Sequence, residues 1–432
     1  MDASRIDRFF GITERGSSIR TEVKGGIIVF LSMSYIIAVN TGMMADAGMD
    51  SDAAFTATIL MSIIGSVIMG LYARFPAAMA PGMGINAMFC YTAVITMGFT
   101  WQEALVGVIL SGILFFVLTV SGIRRMVMDR IPFGVKCGMI AGIGCFIAFI
   151  GLQNSGIVVA SSSTLVTLGD MSEPSVLLSV FCIAATVFMV VRRNTMGILI
   201  GMVLTAIVGI ACGIIDLPSS VFSTPAAPAF GDFLDGIGDG IMSFEFLMVV
   251  ISLAFVEFFD GSGTLLALSQ RAGMDDYGRA LNVDAGIASV SGVVGCTPAT
   301  VFAESATGIE AGARTGLMPI VVALLFAAAL FIAPIFQLFD YSCTVGAMIV
   351  VGASMASELK GTDWSDLPTA MTVVSMILMM VLTYSITTGI AFGVILYCVA
   401  MVGAGRTRQV SPVLYVLAVI FLAYFVAYAI SF

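Results

Sequence analysis

Histidine is absent from this chain of 432 residues, and charge of either sign is scarce: Lys and Arg together number 18, Asp and Glu 27. Without histidine, the usual side chain that titrates near neutral pH is missing, so proton-handling chemistry falls to buried carboxylates. Charged residues make up 10% of the chain against 59% hydrophobic, with a mean hydropathy of +1.09. No soluble core requires such values, and the chain reads as a polytopic membrane protein. Eight cysteines, among them Cys90, Cys137, Cys145, Cys182, Cys212 and Cys296, lie mostly in apolar runs without metal-ligand spacing. They read as packing thiols, with no disulfide and no metal site expected. The first 24 residues are polar and lack the apolar stretch of a cleavable signal, so the first helix should itself direct insertion. The net charge of −9 says little about a partner, because acids and bases fall on opposite sides of the membrane.

Spans of roughly 20 residues are expected near 25–44, 52–72, a short one at 80–93, then 102–121, 132–152, 175–191 and 197–215. A second set is expected near 244–269, 279–296, a short one at 298–311, then 315–337, 341–357, 367–384 and 386–403. A last apolar stretch at 412–430 is either an added span or part of a re-divided last pair. With the N-terminus inside, all 18 basic residues fall on one side, from Arg5 and Arg74 through Arg124, Arg125, Arg130, Arg192 and Arg279 to Arg408. The opposite loops carry acids such as Asp46, Asp170 and Asp232. This is the positive-inside pattern. The Pro/Gly-rich stretch 216–243 divides the chain into two halves of seven segments, and an odd number per half inverts one half relative to the other. The short third segments of the two halves correspond: Pro81 in MAPGMGINAMF is followed by Asn86, and Pro298 in CTPATVFAESATG by Glu304.

Carboxylates at bilayer depth are costly unless paired, hydrated or protonated, so they mark substrate, ion or proton paths. Glu257 and Asp260 lie in the apolar run 248–268 at i, i+3 spacing, which puts them on one helix face, and Glu304 stands just beyond the second break. Short Gly/Pro-interrupted segments in matching positions point to a midplane binding site. Half-helices starting there aim N–H groups and a positive dipole end into a cavity. Asn86 and Glu304 beside those donors could bind a planar ligand with alternating donors and acceptors, such as a nucleobase. Methionines and phenylalanines read mostly as packing, with Phe89 and Phe302 singled out as base-stacking rings.

Four segments, TEVKGGIIVFLSMSYIIAVN at 21–40, APGMGINAMFCYT at 80–92, FVEFFDGSGTLLALSQRAGM at 255–274 and GCTPATVFAESATGIEAGARTGL at 295–317, carry a resemblance covering essentially the whole chain. The sequence resembles the AzgA-type purine permeases, within the wider nucleobase/ascorbate transporter family that includes the uracil permeases. The resemblance implies an all-α membrane fold of fourteen segments in a seven-plus-seven inverted repeat. In it, a core domain (25–121 and 242–337) moves against a gate domain (131–215 and 341–403). Residues 1–24 would be a cytoplasmic N-terminus, 216–241 an extracytoplasmic loop between the repeats, and 404–432 a C-terminal apolar segment. Substrate contacts carried onto this chain would be Asn86, Glu257, Asp260, Phe302, Ala303 and Glu304. Two positions depart from the family pattern: Glu257 where Asp is usual, and Gly261-Ser262-Gly263 where Thr-Thr-Gly is usual.

The expected activity is proton-coupled import of a purine base (hypoxanthine, guanine, adenine or xanthine) across the cytoplasmic membrane by alternating access, not enzymatic catalysis. Glu257 or Asp260 would bind the proton and Glu304 the base. No cofactor is expected, the proton gradient being the drive. The expected partners are the purine, protons and membrane lipid, with no nucleic acid; a homodimer is left open. An anion exchanger or channel on the same architecture would want a cation where this chain has Glu304. An intramembrane aspartyl protease would match Asp260-Gly261-Ser262-Gly263, but a second such signature is missing and the inverted repeat would be unexplained.

Overall fold

The structure is a computed structural model that describes residues 3–122, 124, 131–218, 220–274 and 276–431. Arg125 and Arg130 of the basic alternation lie outside the described residues. An amphipathic helix α1 (Ala3–Phe10) precedes α2 (Ile19–Met33) and α3 (Tyr35–Asp46), which form one span with an irregular turn at Ser34. Then come α4 (Ser51–Ile68), β1 (Met79–Pro81), α5 (Met83–Ala87), α6 (Trp101–Val120), α7 (Phe133–Asn154), α8 (Pro174–Val191) and α9 (Gly197–Ala211). A hairpin of β2 (Val158–Ser161) and β3 (Leu165–Leu168) joins α7 to α8. The second half comprises α10 (Phe244–Ala272), α11 (Gly278–Val294), β4 (Ala299–Val301), α12 (Ser305–Glu310), α13 (Leu317–Ala329), α14 (Ala333–Phe336), α15 (Tyr341–Ala356), α16 (Leu367–Leu382) and α17 (Ile386–Gly403). Beyond the fourteenth segment, α18 (Pro412–Ser431) is a helix of its own, packed on α17 and touching α10. Among the described residues, eight helices are long and apolar enough to cross a membrane.

The ends of these helices are written in their caps. Asp50, Ser243, Asp340, Asp366 and Ser385 each accept from a backbone N–H of the first turn they precede, and Thr100 forms a reciprocal box with Glu103. Gly273 and Gly295, in left-handed conformation, stop α10 and α11. Arg15, Arg74, Arg279 and Arg314, far apart in the sequence, line one cavity of about 670 Å³, so these four basic residues share one face.

The inverted repeat is visible at the molecule's centre. β1 and β4 pair antiparallel, with Met79 opposite Val301 and Pro81 opposite Ala299, all six residues buried. Extended backbone is tolerated there only if its polar groups find partners inside the protein. They do: Met79 N donates to Ser66 Oγ at 3.0 Å, and Ala299 N donates to Ser291 Oγ at 3.0 Å. Ser66 belongs to α4 and Ser291 to α11, the segments preceding the break in each half. Gly82 N to Pro298 O (3.1 Å) and Phe302 N to Ala78 O (3.0 Å) close the two ends of the pair.

Around this centre α6 packs on α10 and α11, α13 on α2 and α4, and α3 on α4. Elsewhere α7 packs on α15 and α16, α8 on α9 and α15, and α16 on α17. Small residues set the closest of these approaches: a Cβ on Gly144 would stand 2.7 Å from the Gly352 carbonyl, so α7 and α15 meet backbone to backbone. All eight cysteines are free thiols, most of them buried.

Candidate functional site

The second break places Glu304 near Asp260, which stands on the unbroken helix α10. Glu304 is the residue immediately before α12, and its Oε1 accepts a 2.7 Å hydrogen bond from the Tyr35 hydroxyl, at the irregular turn between α2 and α3. The Tyr35 ring stands 6.4 Å from that of Phe302, tilted by 47°. Ala303 is exposed and Glu304 half-buried, so this corner is open, whereas Phe302 is buried. Asp260, also half-buried, lies beside Gly82 and close enough to Glu304 for their charges to interact.

Asp260 borders a slot with Gly84 and Val256 on one side and Met139, Ile140, Ile143 and Met355 on the other. The slot holds about 10 Å³, room for roughly one water. As it stands the slot, between α5 and α10 on one side and α7 and α15 on the other, is too small for a ring-sized ligand.

The i, i+3 pair does not converge. Glu257 turns toward α6, where Ser111 Oγ donates to its Oε1 at 3.2 Å. Its side chain is 2% exposed, and Oε2 has no hydrogen-bond partner. Three residues advance a helix by about 300°, so the two carboxylates are offset by some 60° and reach different neighbours. Asn86, inside α5, is fully buried with both side-chain polar atoms unpartnered. Such atoms are rare in folded proteins and call for an explanation. Phe89, on the π-helical continuation of α5 (Met88–Thr96), is wholly buried in the apolar core.

Sequence reasoning passed over three residues. Asp284 on α11, 1% exposed, accepts from Thr300 Oγ1 at 2.8 Å and Val301 N at 3.3 Å, so it ties β4 to α11. Its other oxygen takes Arg124 Nη2 at 3.1 Å, and Arg124 Nε donates to Ser262 of α10 at 2.8 Å while its guanidinium covers the Phe115 ring at 4.4 Å. Gly261 is needed here, since a Cβ would stand 2.2 Å from Asp284 Oδ2. Asp284 was legible as an acid within the expected span 279–296; Arg124, distant in sequence, and Tyr35, an apparently ordinary membrane tyrosine, were not.

A helical membrane fold with an inverted repeat, and a carboxylate at one of its two paired breaks facing a second on an unbroken helix, is the arrangement of a membrane transporter. Residues 20–392 match the model of the Permease family. The chain is 41% identical to the guanine/hypoxanthine permease PbuG of Bacillus subtilis (strain 168), across 97% of this chain and 99% of that one. It is 35% identical to the adenine permease AdeP of Escherichia coli (strain K12), across 96% and 95%. The chain belongs to this permease family. Among solved structures, the transmembrane domain of the cyanobacterial bicarbonate transporter BicA superposes with a TM-score of 0.62 at 14% identity, covering 89% of this chain and 97% of that one. That likeness shows the shared fold alone.

Proposed function

We propose that this protein imports purine nucleobases (hypoxanthine, guanine, adenine or xanthine) with protons across the cytoplasmic membrane, its arginine-rich face and N-terminus in the cytoplasm. The observation that carries the reading is the approach of Glu304 to Asp260 beside the β1–β4 crossing, Asp260 lying on the wall of a slot too small for a base. The names of the relatives at 35–41% identity support purine as the substrate class. Glu304, oriented by Tyr35, accepts from ring N–H groups of the base; Asp260 borders the slot, and Ala303 and Phe302, the two residues before Glu304, are the further contacts this reading assigns. Asn86 carries unsatisfied donor and acceptor atoms suited to a base edge, and Phe89 backs it from the core.

Core (25–121 and 242–337) and gate (131–215 and 341–403) then move against one another, since a base can enter the slot only when its two walls part. Glu257, buried with one free carboxylate oxygen, and Asp260 are the proton-coupling groups. Neutralising a carboxylate lowers the cost of carrying it through a desolvated, occluded state.

Uptake of labelled hypoxanthine into proteoliposomes, competed by a panel of bases and by sulfate and bicarbonate, tests the substrate class. Competition by purines alone is expected. Competition by the anions and not by purines would replace this reading with an anion carrier on the same fold.

A further inference from the structure

At the end of the molecule opposite the arginine-rich face, one carboxylate oxygen collects three donors. Asp46, the last residue of α3, receives on Oδ2 the Tyr91 hydroxyl at 2.6 Å, the Asn154 amide at 3.0 Å and the Tyr341 hydroxyl. Asn154 Nδ2 also reaches Tyr91 Oη at 2.9 Å. Asp46 and Tyr91 stand on the segments that pack around the β1–β4 crossing; Asn154 ends α7 and Tyr341 opens α15, on the other side of the slot. Two further bonds cross nearby, Ile386 N to Thr92 Oγ1 at 3.2 Å and Thr96 Oγ1 to the Tyr384 carbonyl at 3.1 Å. The Tyr384 ring lies edge-on against Tyr91 at 5.8 Å, and its backbone is held at φ 54, a conformation non-glycine residues rarely adopt.

The slot beside Asp260 presents a different surface. Its far wall is formed by Met139, Ile140, Ile143 and Met355, which offer no side-chain hydrogen bond and resist sliding little. Among the described residues most polar bonds between the two groups of helices therefore lie at the Asp46 end; Ser32 Oγ to the Thr195 carbonyl, at 2.9 Å, is a bond elsewhere. Hydrogen bonds to a carboxylate are the stronger kind, and the two that reach Asp46 across the seam, from Asn154 and Tyr341, must break before that end can open.

We propose that Asp46 is a positioning residue of the transport cycle: with Tyr91, Asn154 and Tyr341 it forms a latch that holds the face opposite the arginines closed. The latch rests on the alternating-access reading above. It biases the carrier toward the conformation that opens at the arginine face, and its release is one condition for accepting substrate from the other side. The apparent affinity on that side is reduced by the fraction of carriers with the latch released.

The test replaces exposed Cys212 and half-buried Cys145 by Ala, introduces Ile143→Cys in the slot, and follows its labelling by a membrane-impermeant maleimide from the Asp46 side. Tyr341→Phe and Asp46→Asn are each expected to raise that rate about three- to tenfold, the shift expected of one or two lost hydrogen bonds. They should also lower the apparent KM for uptake from the Asp46 side relative to that for efflux, a split that a merely structural residue would not produce. If Asp46→Asn fails to insert, Tyr341→Phe carries the test alone, because its ring and packing are kept. Labelling from the Asp46 side that responds to purine but is unchanged in the variants overturns the latch and leaves alternating access intact. Labelling from one side only, under every condition, overturns alternating access and the latch with it.

Discussion

Glu304 and Tyr35 form the smallest unit of the account. The Tyr35 hydroxyl donates to one oxygen of Glu304 at 2.7 Å, and under the proposed function the other oxygen accepts from the base. Glu304→Gln is expected to abolish high-affinity purine uptake while insertion stays normal, because the charge is lost and one of the two acceptor oxygens becomes a donor, while the helix faces are kept. Tyr35→Phe keeps the ring against Phe302 and removes one bond; affinity measured by competition should fall about two- to tenfold. Wild-type affinity in Glu304→Gln would remove that residue from the site. The acid was legible from its place beyond a Pro/Gly break, whereas its partner was not, because contact between residues 269 positions apart leaves no local pattern. Arg124 and Asp284 make a second pair of this kind. Breaking a buried ion pair from one side leaves an uncompensated charge, typically costing about 3–5 kcal/mol. Arg124→Ala should therefore lower thermal stability in detergent markedly, and combining Arg124→Met with Asp284→Asn should recover much of the loss. A double variant as unstable as the single one would show that Arg124 matters through its packing on Phe115 and not its charge.

Among the elements, the paired strands are the feature on which the site depends. Pro81 and Pro298 marked them in the sequence: the expected short segments at 80–93 and 298–311 correspond to β1 with α5 and to β4 with α12. Proline disfavours helix continuation at each break, and neither strand can pair with itself, so each needs the other half of the chain. The chain supplies Ser66 and Ser291 to the strand backbone at equivalent points of the two repeats. Ser66→Ala and Ser291→Ala each leave a buried N–H without its partner, at a cost of about 1–3 kcal/mol. Both variants should lower the melting temperature and weaken purine binding together, since β4 leads directly into Glu304. Unchanged stability in both would mean that the crossing is held by the strand pairing alone. The hairpin Val158–Leu168 was missed because its two four-residue strands, largely exposed, offer no clean alternation of apolar and polar residues. The divergence of Glu257 from Asp260 was missed because i, i+3 spacing fixes a shared face only to within the 60° that separates Ser111 from the slot.

Across the whole molecule, charge placement in the sequence carried the topology. Basic residues at every second connection fix the alternation of spans, an odd number per half fixes the inversion, and the antiparallel β1–β4 crossing is its direct consequence. The packing that decides function was less legible, because a slot between α5, α10, α7 and α15 is a property of helix surfaces brought together from both halves. Under the proposed function Glu257 and Asp260 of α10 couple purine movement to protons, and replacing each by its amide separates movement from coupling. The amide mimics the protonated acid, so the loaded carrier should still exchange base across the membrane and yet no longer accumulate it. The most direct measurement is labelled-hypoxanthine counterflow and pH-gradient-driven uptake in proteoliposomes for Glu257→Gln and Asp260→Asn. Glu257→Gln is expected to keep counterflow and lose accumulation, with a weaker loss or a lowered affinity in Asp260→Asn, which borders the slot. Accumulation at wild-type levels by both variants under an imposed pH gradient would contradict the account and move the proton to another group, with Glu304 the first to test.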